Sequence, residues 1–551
     1  MKRLLLGIVL LGLWSCKTIY TFHSTNSFTV IIKKNKKVVR EERKSWQHKD
    51  ITIDTIPGIS LDKAYADLLN TRKGDTIIVA VLDSGFDSNH EDLKPQIWTN
   101  TKEIPNNNID DDKNGYVDDV HGWNFLGAPD GTSLIYGNYE VVRILQQGKT
   151  LFEGRISKEI TPEQQADFEI YQKAKIDYNN RVKELEDDKQ YLKTFLEAKE
   201  ALKKYFPKED YTREQLATID TVGNKKLQEQ IALRDHALYW GMDDDWIKYF
   251  TKDIEVLEKY SLNFEYNGRK KIVGDNPYTF DRKPYGNNNF AGDLSFETHG
   301  TNVAGVIAAT RNNGKGLDGI TNTVKIMPIR VIPRGDEYDK DVAMAIHYAT
   351  NNGAKVINMS FGKQFSPNKE FVHKAIQYAA KHDVLLVTSA GNSSLNTDTH
   401  IFYPNDFKEN PDEELTKNFI SVGASSIPLN QRIFTYFTNY GKKNVDLFAP
   451  GEQIYTTKSN NEYEFADGTS IAAPIVSGIA ALIRSYYPDL TAPQVKQILM
   501  QSGVSYNIEI GITQEDGTKK MVPFSELSKS GKIVNAYNAL LMAERISKSK
   551  N

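Results

Sequence analysis

The chain has 551 residues, more than one hydrophobic core usually serves, and its 39% hydrophobic and 26% charged content is that of a soluble globular protein. A formal net charge of -3 gives no basic footprint for nucleic acid, and the single cysteine, Cys16, excludes an internal disulfide. One large domain with an elaboration, or two domains, is expected, with stability drawn from packing and metals rather than cross-links.

The N-terminal MKRLLLGIVLLGLWSC has a basic start and an apolar run too short to span a bilayer as a helix, so residues 1–15 are predicted to be a signal peptide. Leu13-Trp14-Ser15-Cys16 resembles a bacterial lipobox, in which cleavage leaves Cys16 as the acylated N-terminus. That implies a cell-envelope protein held to a membrane by lipid on Cys16. Residues 16–60 are polar and basic (KKNKKVVREERKSWQHK) and predict a tether or short pro-segment, with Trp46 anchored against the body.

From Thr76 the pattern changes to a short apolar run, TIIVAVLDSG, that ends in Asp83. The acidic stretch NNNIDDDKNGYVDDVHGWNF follows. Asp110, Asp112 and Asn114 before Gly115 have the alternate-residue oxygen spacing of a calcium loop, with the Tyr116 carbonyl and Asp118 placed to continue it. His121 stands at the twelfth place, where an EF-hand has a bidentate glutamate, so the alternatives are another kind of calcium loop or a solvated acidic turn. Residues 133–285 then turn rich in Lys, Glu, Gln and Tyr with few β-branched residues, which predicts a helical insertion with charged, exposed faces.

After the insertion, apolar runs (VKIMPIRV, AKVINMSFG, VLLVTSAGN) alternate with helical patterns (THGTNVAGVIAAT, DVAMAIHYATNN, FVHKAIQYAAKH, TSIAAPIVSGIAALIRSYY). Strands apolar on both faces and joined by helices predict an α/β fold, a parallel sheet with helices on both faces, built from residues 61–132 and 286–545. Ligands of such sheets bind at the carboxyl ends of the strands. Asp83 ends a strand there, His299 opens a helix (HGTNVAGVIAA), and Ser470 opens another (DGTSIAAP). A serine becomes nucleophilic when an imidazole accepts its proton, and the imidazole needs a carboxylate to hold its tautomer.

DSGFDSNHEDL, HGTNVAGVIAA and GTSIAAP, in that order, resemble the three motifs of the subtilisin-like (subtilase) serine proteases. The resemblance covers about residues 75 to 130 and 290 to 505 and implies a subtilisin-like fold and a serine endopeptidase acting on protein or peptide substrates through an acyl-enzyme. It implies Asp83, His299 and Ser470 as the triad and Asn392 of SAGN as the oxyanion donor. It further implies Ser360, Phe361 and Gly362 as one substrate-binding wall and Ser389 to Gly391 as the other, with Phe361 in place of the family's usual leucine. The acidic loop resembles calcium loops of some subtilases, and Asp92 occupies a position that often ligates another calcium. No cofactor is expected for the chemistry, only structural Ca2+, and a monomer is expected. The alternative, a catalytically weak surface-binding protein on a subtilase scaffold, has no use for the triad and Asn392 together. An esterase would have a G-x-S-x-G elbow, whereas this serine lies in GTSIA.

Overall fold

The computed structural model describes residues 29–30, 38–408, 413–514 and 516–550, so Cys16 and the expected signal peptide lie outside the described residues. Among the described residues seven strands form one parallel sheet: β1 (Ile77–Asp83), β2 (Trp123–Asn124), β3 (Val324–Arg330), β4 (Val356–Met359), β5 (Leu385–Ser389), β6 (Phe419–Ser425) and β7 (Leu447–Pro450). Their spatial order is β2-β3-β1-β4-β5-β6-β7. Strand β1 sits between β3 and β4, with Val79 opposite both Ile326 and Val356. Asp83 therefore emerges at the carboxyl edge where the strand order reverses, the usual place for a binding crevice.

The longer helices are α1 (Glu140–Phe152), α2 (Gln165–Leu202), α3 (Lys225–Trp240), α4 (Asp244–Val256), α5 (His299–Ala308), α6 (Asp339–Asn351), α7 (Lys369–Lys381), α8 (Thr469–Tyr486), α9 (Ala492–Ser502) and α10 (Ala536–Lys550). Successive side chains of a strand point to opposite faces, and β1 obeys this: Val79 and Val81 pack with α5, α8, α9 and α10, while Ala80 and Leu82 pack with α6 and α7. Both faces are covered, which is why the strands read as unbroken apolar runs.

Helices α1 to α4 belong to the insertion, and α1, α2 and α4 bury a core of their own with Val142, Leu145, Phe168, Tyr171 and Ile254. The chain departs and returns at one point, where Asn124 and Asn287 exchange backbone hydrogen bonds of 2.8 and 3.0 Å. A buried ionic network fastens the root. Lys363 of the body donates to Glu140 at 2.6 Å and pairs with Asp339 at 2.9 Å, Arg143 pairs with Glu140 at 2.5 Å, and Arg269 pairs with Asp341 at 2.6 Å.

Residues 38–60 correct the expectation of a tether. Trp46 is fully buried and donates its indole N–H to the Gln453 carbonyl at 3.1 Å, while Ile56 and Ile59 lie in the main core. The Ile59 carbonyl accepts the N–H of Ala536, and Ser60 accepts from Asn535 at 2.7 Å. From Val38 onward this segment is part of the body, because Val38, Trp46, Ile51, Ile56 and Ile59 find places in it, while Val39 and Ile53 stay exposed.

Candidate active site

Three strand ends and two helix starts position the candidate residues. Asp83, 2% exposed, accepts from His299 Nδ1 at 2.8 Å and from the Ser84 N–H at 2.7 Å through the same oxygen. Gly300 permits this approach, since a β-carbon there would lie 2.8 Å from the Gly85 carbonyl. Two residues before His299, the fully buried Glu297 pairs with Arg330 at 2.8 Å and ties the segment to the end of β3. Burial works to lower the His299 pKa, but the charge of Asp83 and its hydrogen bond outweigh it and raise the ring above the ordinary histidine value.

The start of α8 shows why Ser470 stands where it does. Pro474 has no N–H to give to the Ser470 carbonyl one turn earlier, so that carbonyl needs another donor. Ser360 supplies it at 2.7 Å, and Ser360 is itself held by Asn358 at 2.9 Å, whose other end accepts from Ser477 at 2.8 Å. The side chain of Ser360, expected on a substrate-binding wall, thus fastens the serine helix to the end of β4.

Asn392 caps the same helix. Its side-chain carbonyl accepts the Thr469 N–H at 2.9 Å and the Thr469 hydroxyl at 2.8 Å, satisfying one of the orphan donors of the first turn. That fixes which way its amide points. A β-carbon at Gly468, where φ is +143°, would lie 2.8 Å from Ser470 Oγ, 3.4 Å from Asn392 Nδ2 and 3.6 Å from the Ser470 nitrogen. The hydroxyl and two N–H donors therefore surround one small space that only glycine leaves open. Among the described residues no hydrogen bond joins His299 to Ser470 Oγ, a contact that often tightens only with substrate present.

The remaining expected binding residues lie on the two flanking segments. Phe361, 8% exposed, turns its ring into the core, leaving only its backbone for the cleft. Ser389 is buried and reaches toward the Phe361 carbonyl at 3.5 Å. β-Carbons at Gly362 and Gly391 would lie 3.5 and 2.9 Å from the Phe402 ring, so that ring sits between the two walls. Phe402 carried no motif, and only the packing identifies it.

The profile described as the Subtilase family matches residues 74–525. The chain belongs to the subtilase family. A thermophilic serine proteinase of Bacillus sp. (strain AK1) is 33% identical over 248 residues, 45% of this chain and 53% of that protein. Subtilisin DY of Bacillus licheniformis is 33% identical over 231 residues, 41% of this chain and 78% of its own. Among solved structures, a protease from Pseudoalteromonas arctica has 28% identity and a TM-score of 0.35 over 44% of this chain and 70% of that one. This subtilase spans about half the length of the first of these relatives.

The acidic loop of this subtilase folds on itself. Asp110 accepts the N–H groups of Asn114 and Gly115 at 3.0 and 2.8 Å, Asp118 those of Asn107 and Asn108 at 3.2 and 2.8 Å, and Asn114 that of Tyr116 at 2.8 Å. Of the five expected ligands, only Asp112 joins the tightest carboxylate group among the described residues, with Glu103 and Asp119, one oxygen of each lying within 4.8 Å of the others. Glu103 is 6% exposed and its Oε2 has no hydrogen-bond partner among the described residues, while burial pushes Asp119 up to about 6. Converging buried carboxylates with an orphaned oxygen fit a hard cation such as calcium. Asp92 has protein donors, Asn313 at 2.5 Å and Tyr463 at 3.3 Å.

Proposed function

We propose that this subtilase is an exported serine endopeptidase, anchored to a membrane of the cell envelope by lipid on Cys16, that cuts peptide bonds through an acyl-enzyme. The observation carrying this reading is the Asp83–His299 pair at 2.8 Å together with Ser470 and Asn392 gathered at the open side of Gly468. Ser470 Oγ attacks the scissile carbonyl as His299 Nε2 takes its proton, and Asp83 holds the ring and stabilises its charged form. Asn392 Nδ2 and the Ser470 N–H, one of the first four helical donors without an intrahelical acceptor, meet the developing oxyanion. The amine leaves with the proton from His299, and water activated by the same ring releases the acyl group.

Ser360 to Gly362 and Ser389 to Gly391 form the walls for the residue before the cut, by backbone more than by side chain. Glu103, Asp112 and Asp119 hold a structural Ca2+, and the protein acts as a monomer on protein or peptide substrates. The test is labelling by a fluorophosphonate probe with hydrolysis of a peptide library. Both are expected in the wild type and neither in Ser470→Ala; an unlabelled wild type overturns the reading in favour of a binding scaffold. Cys16→Ser is expected to move the protein from the membrane fraction to the soluble one, since a lipid at that residue is the anchor.

A further inference from the structure

The insertion meets the cleft on both sides. On the His299 side, Tyr249 of α4 packs on Phe296, three residues before His299, with ring centroids 5.1 Å apart. Asp253 of the same helix pairs with Arg334, whose guanidinium lies 3.8 Å from the Phe296 ring centroid. On the other side a cavity of about 870 Å³ opens next to the serine helix. Its wall includes Ser394, two residues after Asn392, and Asp467, three before Ser470; it also includes Tyr436, the strand segment Ile510–Thr513, and Tyr239 near the end of α3.

The direction of the cavity follows from what is missing in its lining. None of Ser360 to Gly362 or Ser389 to Gly391 borders it. Ser470, His299 and Asn392 do not border it either, so the cavity lies beyond them, on the side of Ser394 and Asp467 and apart from the segments expected to hold the acyl half of a substrate. Its volume falls within the roughly 300–1,000 Å³ usual for ligand sites. The wall offers an extended chain something to bind: strand Glu509–Thr513 pairs only with Lys519–Pro523 among the described residues, which leaves its other edge of backbone N–H and C=O groups open. Two tyrosines face the same space, Tyr239 at 63% and Tyr436 at 83% exposed, each with an apolar ring and a polar tip. Arg213, paired to Asp235 at 2.7 Å, lies 5.2 Å from the Tyr239 ring centroid and steadies it.

We propose that this cavity holds the half of the substrate on the leaving-amine side of the cut, as an extended strand beside residues 510–513, and that Tyr239 roofs it. The enzyme therefore acts on segments that thread beneath the insertion. This rests on the peptidase reading of Ser470. The occupant is a polypeptide because the cavity lies close to the serine, reaching Ser394 and Asp467, and one wall is a strand with a single pairing partner among the described residues.

The experiment compares two fluorogenic substrates with the same acyl half, taken from the wild-type cleavage profile. One ends in an aminocoumarin amide; the other continues for four residues past the cut between a donor and a quencher. For Tyr239→Ala and for Tyr436→Ala, both at exposed positions, KM for the long substrate is expected to rise at least tenfold relative to the short one, with the kcat ratio unchanged. Equal changes on both substrates, or none on either, overturn the proposal. A wild type that cuts neither substrate overturns the peptidase reading instead.

Discussion

At residue scale, the site depends on two glycines and one asparagine whose side-chain ends have been sorted by the helix beneath it. Gly300 and Gly468 are needed for close approach rather than flexibility, and Asn392 presents its amide because Thr469 has claimed its carbonyl. The protonation of His299 follows from its neighbours in the same way. Its pKa is raised, so the neutral base accumulates only above the ordinary midpoint of about 6.5, and kcat/KM is expected to rise with pH through that higher midpoint. In Asp83→Asn the raising charge is gone and burial remains, so the midpoint should fall below the ordinary value while turnover drops about 10⁴-fold. Titration of the His299 ring by NMR in a Ser470→Ala background measures the first effect free of turnover. An unmoved midpoint would mean that another group raises it. The residues proposed as the triad could be singled out because each sits in a short run of small and glycine residues; Thr469, Gly468 and Phe402 were not singled out, since their roles depend on what faces them.

Elements show how the serine is held. The bond from Ser360 to the Ser470 carbonyl answers the gap left by Pro474, so Ser360→Ala leaves a carbonyl unpaired at about 1–3 kcal/mol. Urea denaturation is expected to register that loss, together with a lower kcat from a loosened helix start; a stable variant with unchanged kcat would show that water replaces the hydroxyl. The acidic loop is a second element whose sequence spacing and folded form differ. Alternate carboxylates were readable in Asp110 to Asp118, but several of them spend oxygens on the loop's own N–H groups, and the cation-like cluster draws Glu103 and Asp119 in around Asp112. A ligand bound only by the native state stabilises it, so chelation should lower the melting temperature by several degrees, and Glu103→Gln should abolish the response to calcium. Identical melting in chelator and in millimolar calcium would reject the cluster as a metal site.

For the whole molecule, the insertion has a root and an arm with different duties. Glu140 and Arg269 at the root pair with Lys363 and Asp341 in the body, and deleting them strands buried charges at about 3–5 kcal/mol per broken pair. The distal arm buries a separate cluster around Leu202, Tyr211, Leu216 and Leu227. Replacing residues 200–242 by a Gly/Ser linker therefore spares the root and removes Tyr239. Hydrolysis of the aminocoumarin amide is expected to stay within several-fold and cleavage of a native folded protein to rise at least tenfold; a folded protein cut no faster would mean that the arm does not restrict access.

The sequence by itself determined the α/β class, four of the seven sheet strands, the presence of a helical stretch and the order of the family motifs. These are carried by local hydrophobic period and by small residues at strand ends and helix starts, which act on their immediate neighbours. Strands β2, β6 and β7 were missed because they are short or interrupted by small polar residues, as in WN, FISVGAS and LFAP. Only the tertiary structure decided the strand order, the incorporation of residues 38–60 into the core, the carboxylate partners of Asp112 and the cavity shared by Tyr239 and Asp467. Apart from the Asp112 partners, which the local fold of the loop brings together, these join residues far apart in the chain, and such contacts are selected by the packing of the complete core rather than by the pattern of any one segment.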